Sequence, residues 1–207
     1  LEKTDEILKG IEVVKKCLGV KNVYIAIEDN KPEAIEKFQH AIRTTCLPDR
    51  QACLPASKAQ YALRILKSQY PQGGEKQLIK NILRKEVPQG KLPFELGVVV
   101  QNVATINAIY EAVYLRTPLY ERVITVTGSC LSNPKNLLVR IGTPIKELLT
   151  LCGPLKETPA KIIIGGPMMG IAQYTQDVPV IKSTTGIVVL NKKEAACQEE
   201  ESCIRCA

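Results

Sequence analysis

Three places in this 207-residue chain set polar or permissive residues where a strand hands over to a helix, and a fourth carries paired thiols. The first is Tyr70-Pro71-Gln72-Gly73-Gly74-Glu75-Lys76. A β-prone run over residues 62–66 enters it, and Leu78, Ile79, Ile82 and Leu83 leave it at helical spacing. Glycine at such a junction permits positive φ and admits another molecule close to the backbone. The first free N–H groups of the following helix point outward with partial positive charge. That geometry suits a phosphate, although a plain turn also accounts for an isolated Gly-Gly pair. A second stretch adds weight to the first reading: Val98-Val99-Val100 reads as a short buried strand that runs directly into Gln101-Asn102 and then a helix. The third place is Glu28-Asp29-Asn30, between a predicted strand over residues 22–27 and a helix beginning near Pro32. Functional groups of open α/β sheets gather at such strand ends. Asn30 as a simple helix cap is the alternative, and both readings stand.

The thiols are Cys203-Ile204-Arg205-Cys206, a Cys-x-x-Cys pair that can grip one tetrahedral metal but is half a site. A thioredoxin-like pair is disfavoured, because Glu199, Glu200 and Glu201 precede it and negative charge raises thiol pKa values. A tail with two spare thiols is the bland reading. Of the eight cysteines, Cys17, Cys46, Cys53, Cys130, Cys152 and Cys197 have no close ligand spacing and read mostly as small buried hydrophobes. His40 sits among Gln39 and Arg43 and reads as a solvated helix residue.

The elements that must position these groups alternate. A helix opens at Thr4 or Asp5 as cap, carries Ile7, Leu8, Ile11 and Val14, and ends at Gly19. Strand, helix, a proline-containing loop over residues 44–58, strand, helix, strand and helix follow, which implies a parallel sheet covered by helices. Around Thr117-Pro118 the character changes. Residues 123–127 and 137–141 pattern as a hairpin, and Thr143-Pro144 as cap and first position open a short helix with Ile145, Leu148 and Leu149 inward. Strands follow over residues 161–164, 178–182 and 186–190, with a tight Gly165-Gly166-Pro167-Met168-Met169-Gly170 loop after the first. This β-β-α-β-β-β order is that of a small β-grasp domain, and the boundary falls near residues 116–120.

Composition narrows the partners. With 28 Lys+Arg against 21 Asp+Glu the formal charge is +7. That surplus suits an anionic cofactor, an acidic protein or anionic lipid. Aromatics are only 4%, so the stacking platforms of a single-strand binder are lacking and nucleic acid is not expected. Mean hydropathy of -0.02 is that of an ordinary globular chain. Cysteines without a secretory leader argue for a reducing compartment. The first residue is Leu1, which predicts a fragment.

Taken together, residues 70–79, 97–103, 122–128 (Arg-Val-Ile-Thr-Val-Thr-Gly), 165–170 and 203–206 resemble one family, RnfC, the C component of the Rnf ion-translocating electron transport complex. Electron-transfer proteins of amino-acid and cobalamin reductase systems are similar, and the flavin-bearing subunit of respiratory complex I more distantly so. The resemblance implies an α/β flavin- and NADH-binding domain over residues 1–118, truncated at its N-terminus. A soluble-ligand-binding β-grasp domain over 119–192 and the start of an iron–sulfur region over 193–207 would follow. It implies an NADH-dependent flavo-iron–sulfur oxidoreductase subunit, peripheral at the cytoplasmic face of a bacterial membrane. Electrons would pass from NADH through FMN to 4Fe-4S clusters, with the other subunits as neighbours and ferredoxin as eventual partner. By resemblance Gly73, Gly74 and Glu75 lie by flavin and nicotinamide, Val100, Gln101 and Asn102 contact FMN, Glu28 and Asn30 line the same site, and Cys203 and Cys206 begin a cluster set. The family's Gly-Gly-Ala-x-Phe-Pro flavin loop is expected upstream of Leu1 and the remaining cluster ligands beyond Ala207, so the polypeptide alone is expected to be inactive. The rival reading is a non-catalytic β-grasp module that docks a ligand or partner.

Overall fold

The computed structural model describes residues 3–45 and 60–196, and its contacts divide the chain after Pro118 into two units. The 44–58 loop, apart from its first two residues, and the Cys203/Cys206 pair lie outside the described residues.

The first unit begins with α1 (Thr4–Leu18), whose Ile7 and Leu8 face inward as their spacing dictates. Neither Thr4 nor Asp5 caps it: Lys3 occupies the cap position without a side-chain bond, and Asp5 and Glu6 instead complement the positive end of the helix. Gly19, at φ 64, closes it in the left-handed region. Strands β1 (Asn22–Glu28) and β2 (Gln60–Leu66) pair in parallel from Asn22↔Gln60 to Glu28↔Leu66. The helix α2 (Pro32–Thr45) leaves β1 through the turn at Glu28, and α3 (Glu75–Leu83) leaves β2 through the Gly73-Gly74 bend. Buried Ile79 of α3 packs near the 3-10 turn η1 (Pro93–Leu96), whose Pro93 is also buried. The last helix, α4 (Val103–Tyr114), lies against α1. Gly10 makes that contact possible: a Cβ there would stand 2.4 Å from the Ile106 carbonyl oxygen, so no larger residue allows the two backbones to approach so closely. Ile7, Leu8, Phe38 and Ile106 form the buried cluster, with Ile25, Ile27 and Leu63 of the strands packed on it.

The strand predicted over residues 97–100 is not formed among the described residues. Gly97, at φ 68, terminates η1, and the Val98 N–H donates to the Pro93 carbonyl at 3.3 Å instead of to a sheet. Val100 is half-buried and Val99 exposed, so the apolar run marks a connection and not a ladder.

The second unit is one mixed sheet on one helix. Its strands are β3 (Glu121–Thr127), β4 (Lys135–Arg140), β5 (Lys161–Ile164), β6 (Ile171–Gln173) and β7 (Gly186–Leu190), in the spatial order β4-β3-β7-β5-β6. The β3–β4 hairpin is antiparallel, β3 and β7 are parallel, and β5 runs antiparallel to both its neighbours. Helix α5 (Ile145–Leu151) buries Ile145, Leu148 and Leu149 with Ile124, Val126, Ile187 and Val189. Burying one such side chain fully contributes roughly 1.5–3 kcal/mol.

Two expectations change here. The run over residues 178–182 is a strap and not a strand, touching the start of α5 through an isolated bridge, Pro144↔Pro179. The fifth strand is instead β6, a three-residue edge just after the Gly165–Gly170 loop. The strap also explains why Thr143 is not the cap of α5. The Ile145 and Lys146 N–H groups donate to the Val178 and Gln176 carbonyls at 3.0 Å each, so the first donors of the helix are satisfied by backbone from elsewhere. Pro144 takes the cap position, and the Thr143 carbonyl accepts from the Val180 N–H at 2.9 Å.

Candidate functional site

The carboxyl ends of β1 and β2 lie side by side, and the turns that leave them are tied together. The Asp29 N–H donates to the Leu66 carbonyl at 2.8 Å, and the Ser68 N–H donates to Asp29 Oδ1 at 3.0 Å. Asn30 Nδ2 donates to Ser68 Oγ at 2.9 Å. Asn30 therefore does not cap α2, whose first turn closes on the Lys31 carbonyl; it pins one strand end to the other. Glu28 completes β1, and its carbonyl accepts from the Lys31 N–H. Ser68 is the partner that sequence reasoning missed. Its signal was a hydroxyl residue at the end of a β-prone run, too common to stand out.

Beyond Ser68 the chain turns at Tyr70–Pro71, a cis peptide, and the Gly74 N–H donates to the Pro71 carbonyl at 2.8 Å. Neither glycine uses the left-handed region that their presence suggested; Gly74 has φ -65 and ψ 138. Their roles differ. A Cβ at Gly74 would sit 3.1 Å from the Pro71 carbonyl oxygen, so Gly74 keeps the bend tight, whereas a Cβ at Gly73 would meet nothing within 4 Å, so Gly73 leaves open space. Gly74 is also the N-cap of α3 and offers no side-chain bond to it, with Glu75 in the first turn. The free N–H groups of that turn are the donors an anion requires. The Asn81 amide of α3 reaches back to Gln72 Oε1 at 2.8 Å and fixes the bend on its helix.

The second bend behaves otherwise. Asn102 Oδ1 accepts the Ala104 N–H at 2.9 Å and caps α4, which leaves the Asn102 NH₂ as its donor, and Gln101 is exposed. Each bend is held by its own hydrogen bonds. The structure thus joins Glu28, Asp29 and Asn30 to the end of β2, and it keeps the Gly73–Glu75 and Val100–Asn102 bends as separately supported groups.

The thiols divide. Cys130 and Cys152 are fully buried, and burial raises both thiols above their ordinary range, so they read as packing groups. Cys17 is exposed, contrary to the expectation of a buried hydrophobe. Among the described residues no cluster of His, Cys, Asp or Glu has the arrangement of a metal site, and no helix is long and apolar enough to cross a membrane.

Comparison with known proteins follows the same division of the chain. Residues 1–111 match the family described as Nuo51 FMN-binding domain, and residues 123–172 match the SLBB domain. The chain is 44% identical over 206 residues to the C component of the proton-translocating ferredoxin:NAD(+) oxidoreductase complex of Clostridium ljungdahlii, covering 100% of this chain and 42% of that protein. It is 39% identical to the Na(+)-translocating counterpart of Acetobacterium woodii, covering 98% of this chain and 43% of that protein. It is also 39% identical to the C component of the ion-translocating oxidoreductase complex of Rhodobacter capsulatus, covering 99% and 37%. The chain thus spans about two fifths of the length of these curated relatives. A crystal structure of an NAD+-reducing [NiFe]-hydrogenase superposes with a TM-score of 0.69 at 17% identity, over 90% of this chain and 36% of that one, a likeness of fold.

Proposed function

The chain belongs to the Nuo51 FMN-binding domain family, and from that premise we propose that its first unit forms the flavin- and nicotinamide-facing part of an RnfC-type protein. In that protein electrons from NADH would reach 4Fe-4S clusters through FMN, in a membrane-associated complex that exchanges electrons with ferredoxin. The observation that carries this reading is the pairing of an uncapped α3 N-terminus with the open space at Gly73. The residues fit an FMN phosphate in part. Gly73 would admit it, Gly74 holds the bend, and the first-turn N–H groups of α3 would donate to it, while the Asn102 NH₂ would offer the flavin a further donor from the other bend. Bound flavin supplies the conversion from two-electron to one-electron chemistry. The chain's own part is to bind and orient: Asp29, Asn30 and Ser68 lock the two strand ends, so the platform beneath the bend does not reorganise when charge arrives. In this reading Glu75, exposed in the first turn of α3, would hold the nicotinamide amide. Cys203 and Cys206 are the first two cluster ligands in this reading, and Glu28 borders the same platform.

A second reading concerns the other unit. Met168, Met169, Ile171 and Tyr174 lie exposed around the edge strand β6, which favours a docking role for the β-grasp fold. The test is spectroscopic. The full-length protein should show flavin and iron–sulfur absorbance that bleaches on adding NADH, and a colourless protein indifferent to NADH would favour the docking module. Gly73→Asp places a negative charge in the open space without a clash, so flavin content should fall roughly tenfold at unchanged circular dichroism. Full flavin occupancy in that variant would remove the bend from the site.

A further inference from the structure

An open cleft of about 560 Å³ runs beside β2 and α3. Its lining takes in the last residues of β2, Arg64 to Leu66, the following Lys67, and Asn81 and Ile82 of α3. Its polar lining is Arg64, Lys67 and Arg84 with the amides of Gln69, Gln72 and Asn81, and no carboxylate contributes. Among the described residues none of the three cations has an ion pair; Arg64 lies only over the Tyr24 ring, 5.9 Å from its centroid. Two features hold the lining in place. The Asn81–Gln72 bond spans the cleft wall, and Arg84, at φ 58 in the left-handed region, is fixed by its N–H donating to the Lys80 carbonyl at 3.0 Å.

We propose that this cleft binds a phosphoryl group of the nucleoside-diphosphate class, with Arg64, Lys67 and Arg84 as its charge partners. Guanidinium forks match phosphate oxygens in pairs, Lys adds a point charge, and the amides set orientation. The volume suits a nucleotide and not a macromolecule. Gln72 belongs both to this cleft and to the Gly73-Gly74 bend, so a dinucleotide whose ring lies at the bend has its pyrophosphate within the cleft's reach. That last assignment rests on the function proposed above; the phosphoryl site itself does not.

The test is titration calorimetry on the full-length protein with its flavin in place, using ADP, inorganic pyrophosphate and NADH as separate probes. Flavin content is read alongside by absorbance. ADP and pyrophosphate should bind with affinity that falls steeply with salt, and Lys67→Gln and Arg84→Gln should each weaken them at least about tenfold with flavin content unchanged. If NADH weakens in parallel, the cleft takes the dinucleotide's phosphates; if ADP weakens and NADH does not, the cleft serves a separate nucleotide. Both support the site. Failure of ADP and pyrophosphate to bind, or binding indifferent to both substitutions, overturns it. Absent flavin with intact ADP binding would sink the proposed function and leave this site standing.

Discussion

The two units each start a helix after a turn, and they solve the same problem in opposite ways. In the second unit the first donors of α5 are taken by the Gln176 and Val178 carbonyls of the strap. In the first, α3 begins at Gly74 with no side chain across its end. The cores differ in the same sense. Among the described residues, thirteen buried side chains close the second unit's core, most of them without solvent exposure, against four in the first unit's main cluster. The second unit satisfies the first donors of α5 with its own backbone, and the first leaves the start of α3 without a side-chain cap. Binding sites are drawn from the less stable parts of a fold, and the site proposed above falls in the unit with the smaller core.

Substitutions can press on that contrast. The largest effect should come from Gly128→Ala, since Gly128 sits at φ 138 and its Cβ would be 2.1 Å from the Val189 carbonyl oxygen. A loss of roughly 3–5 kcal/mol is expected, confined in hydrogen exchange to peptides after Leu119. Loss of protection throughout both units would mean that they do not differ as argued. Gly10→Ala should be milder, roughly 1–3 kcal/mol, because α1 and α4 can slide apart to admit the methyl group. Its thermal shift should be accompanied by exposure of Ile7 and Ile106, read as faster exchange in α1 and α4 alone. The smallest effect is electrostatic. The Lys3 hydrogen bond at 2.7 Å, with Asn107 assisting, holds Glu111 below the usual carboxylate range against a smaller opposing effect of burial. A depressed carboxylate contributes stability that is complete above its unfolded value and lost as pH falls through its folded value. The first unit should therefore lose under about 1 kcal/mol as acid is added below pH 4.5. Lys3→Met should flatten that part of a stability-versus-pH curve, and an unchanged slope would assign the acid sensitivity elsewhere.

Much of this was readable from residue order. β-prone runs marked β3 and β7, helical spacing marked α1 and α4, and the strand-to-helix junctions at Glu28 and Gly73 fell where the strand ends lie. What escaped was decided by distant backbone. Val178, Val180 and Ile181 have the apolar character of a strand, but Pro179 lacks a donor and the neighbouring groups bond to the start of α5. Strand β6 was invisible because three residues are too few for a pattern and Ile171 faces solvent. Val98 to Val100 are apolar enough for a ladder, yet Gly97 turns them away from β1 and β2. In the candidate site, Asn102 was legible as a functional amide but its use as a cap was not, because one side chain can serve either purpose. Arg64, Lys67 and Arg84 went unremarked because they share a cleft only in the folded chain, the first two coming from the end of β2 and the third from just past α3.

Where β7 ends, Asn191 and Glu194 bond each other's N–H groups at 3.0 and 3.2 Å, and Glu194 also accepts from Ser129 Oγ at 2.5 Å. The exit of β7 is thus pinned beside the turn after β3. With its N–H taken by Glu194, Asn191 has no donor left for the sheet, so this small clasp also sets where the β7 ladder stops.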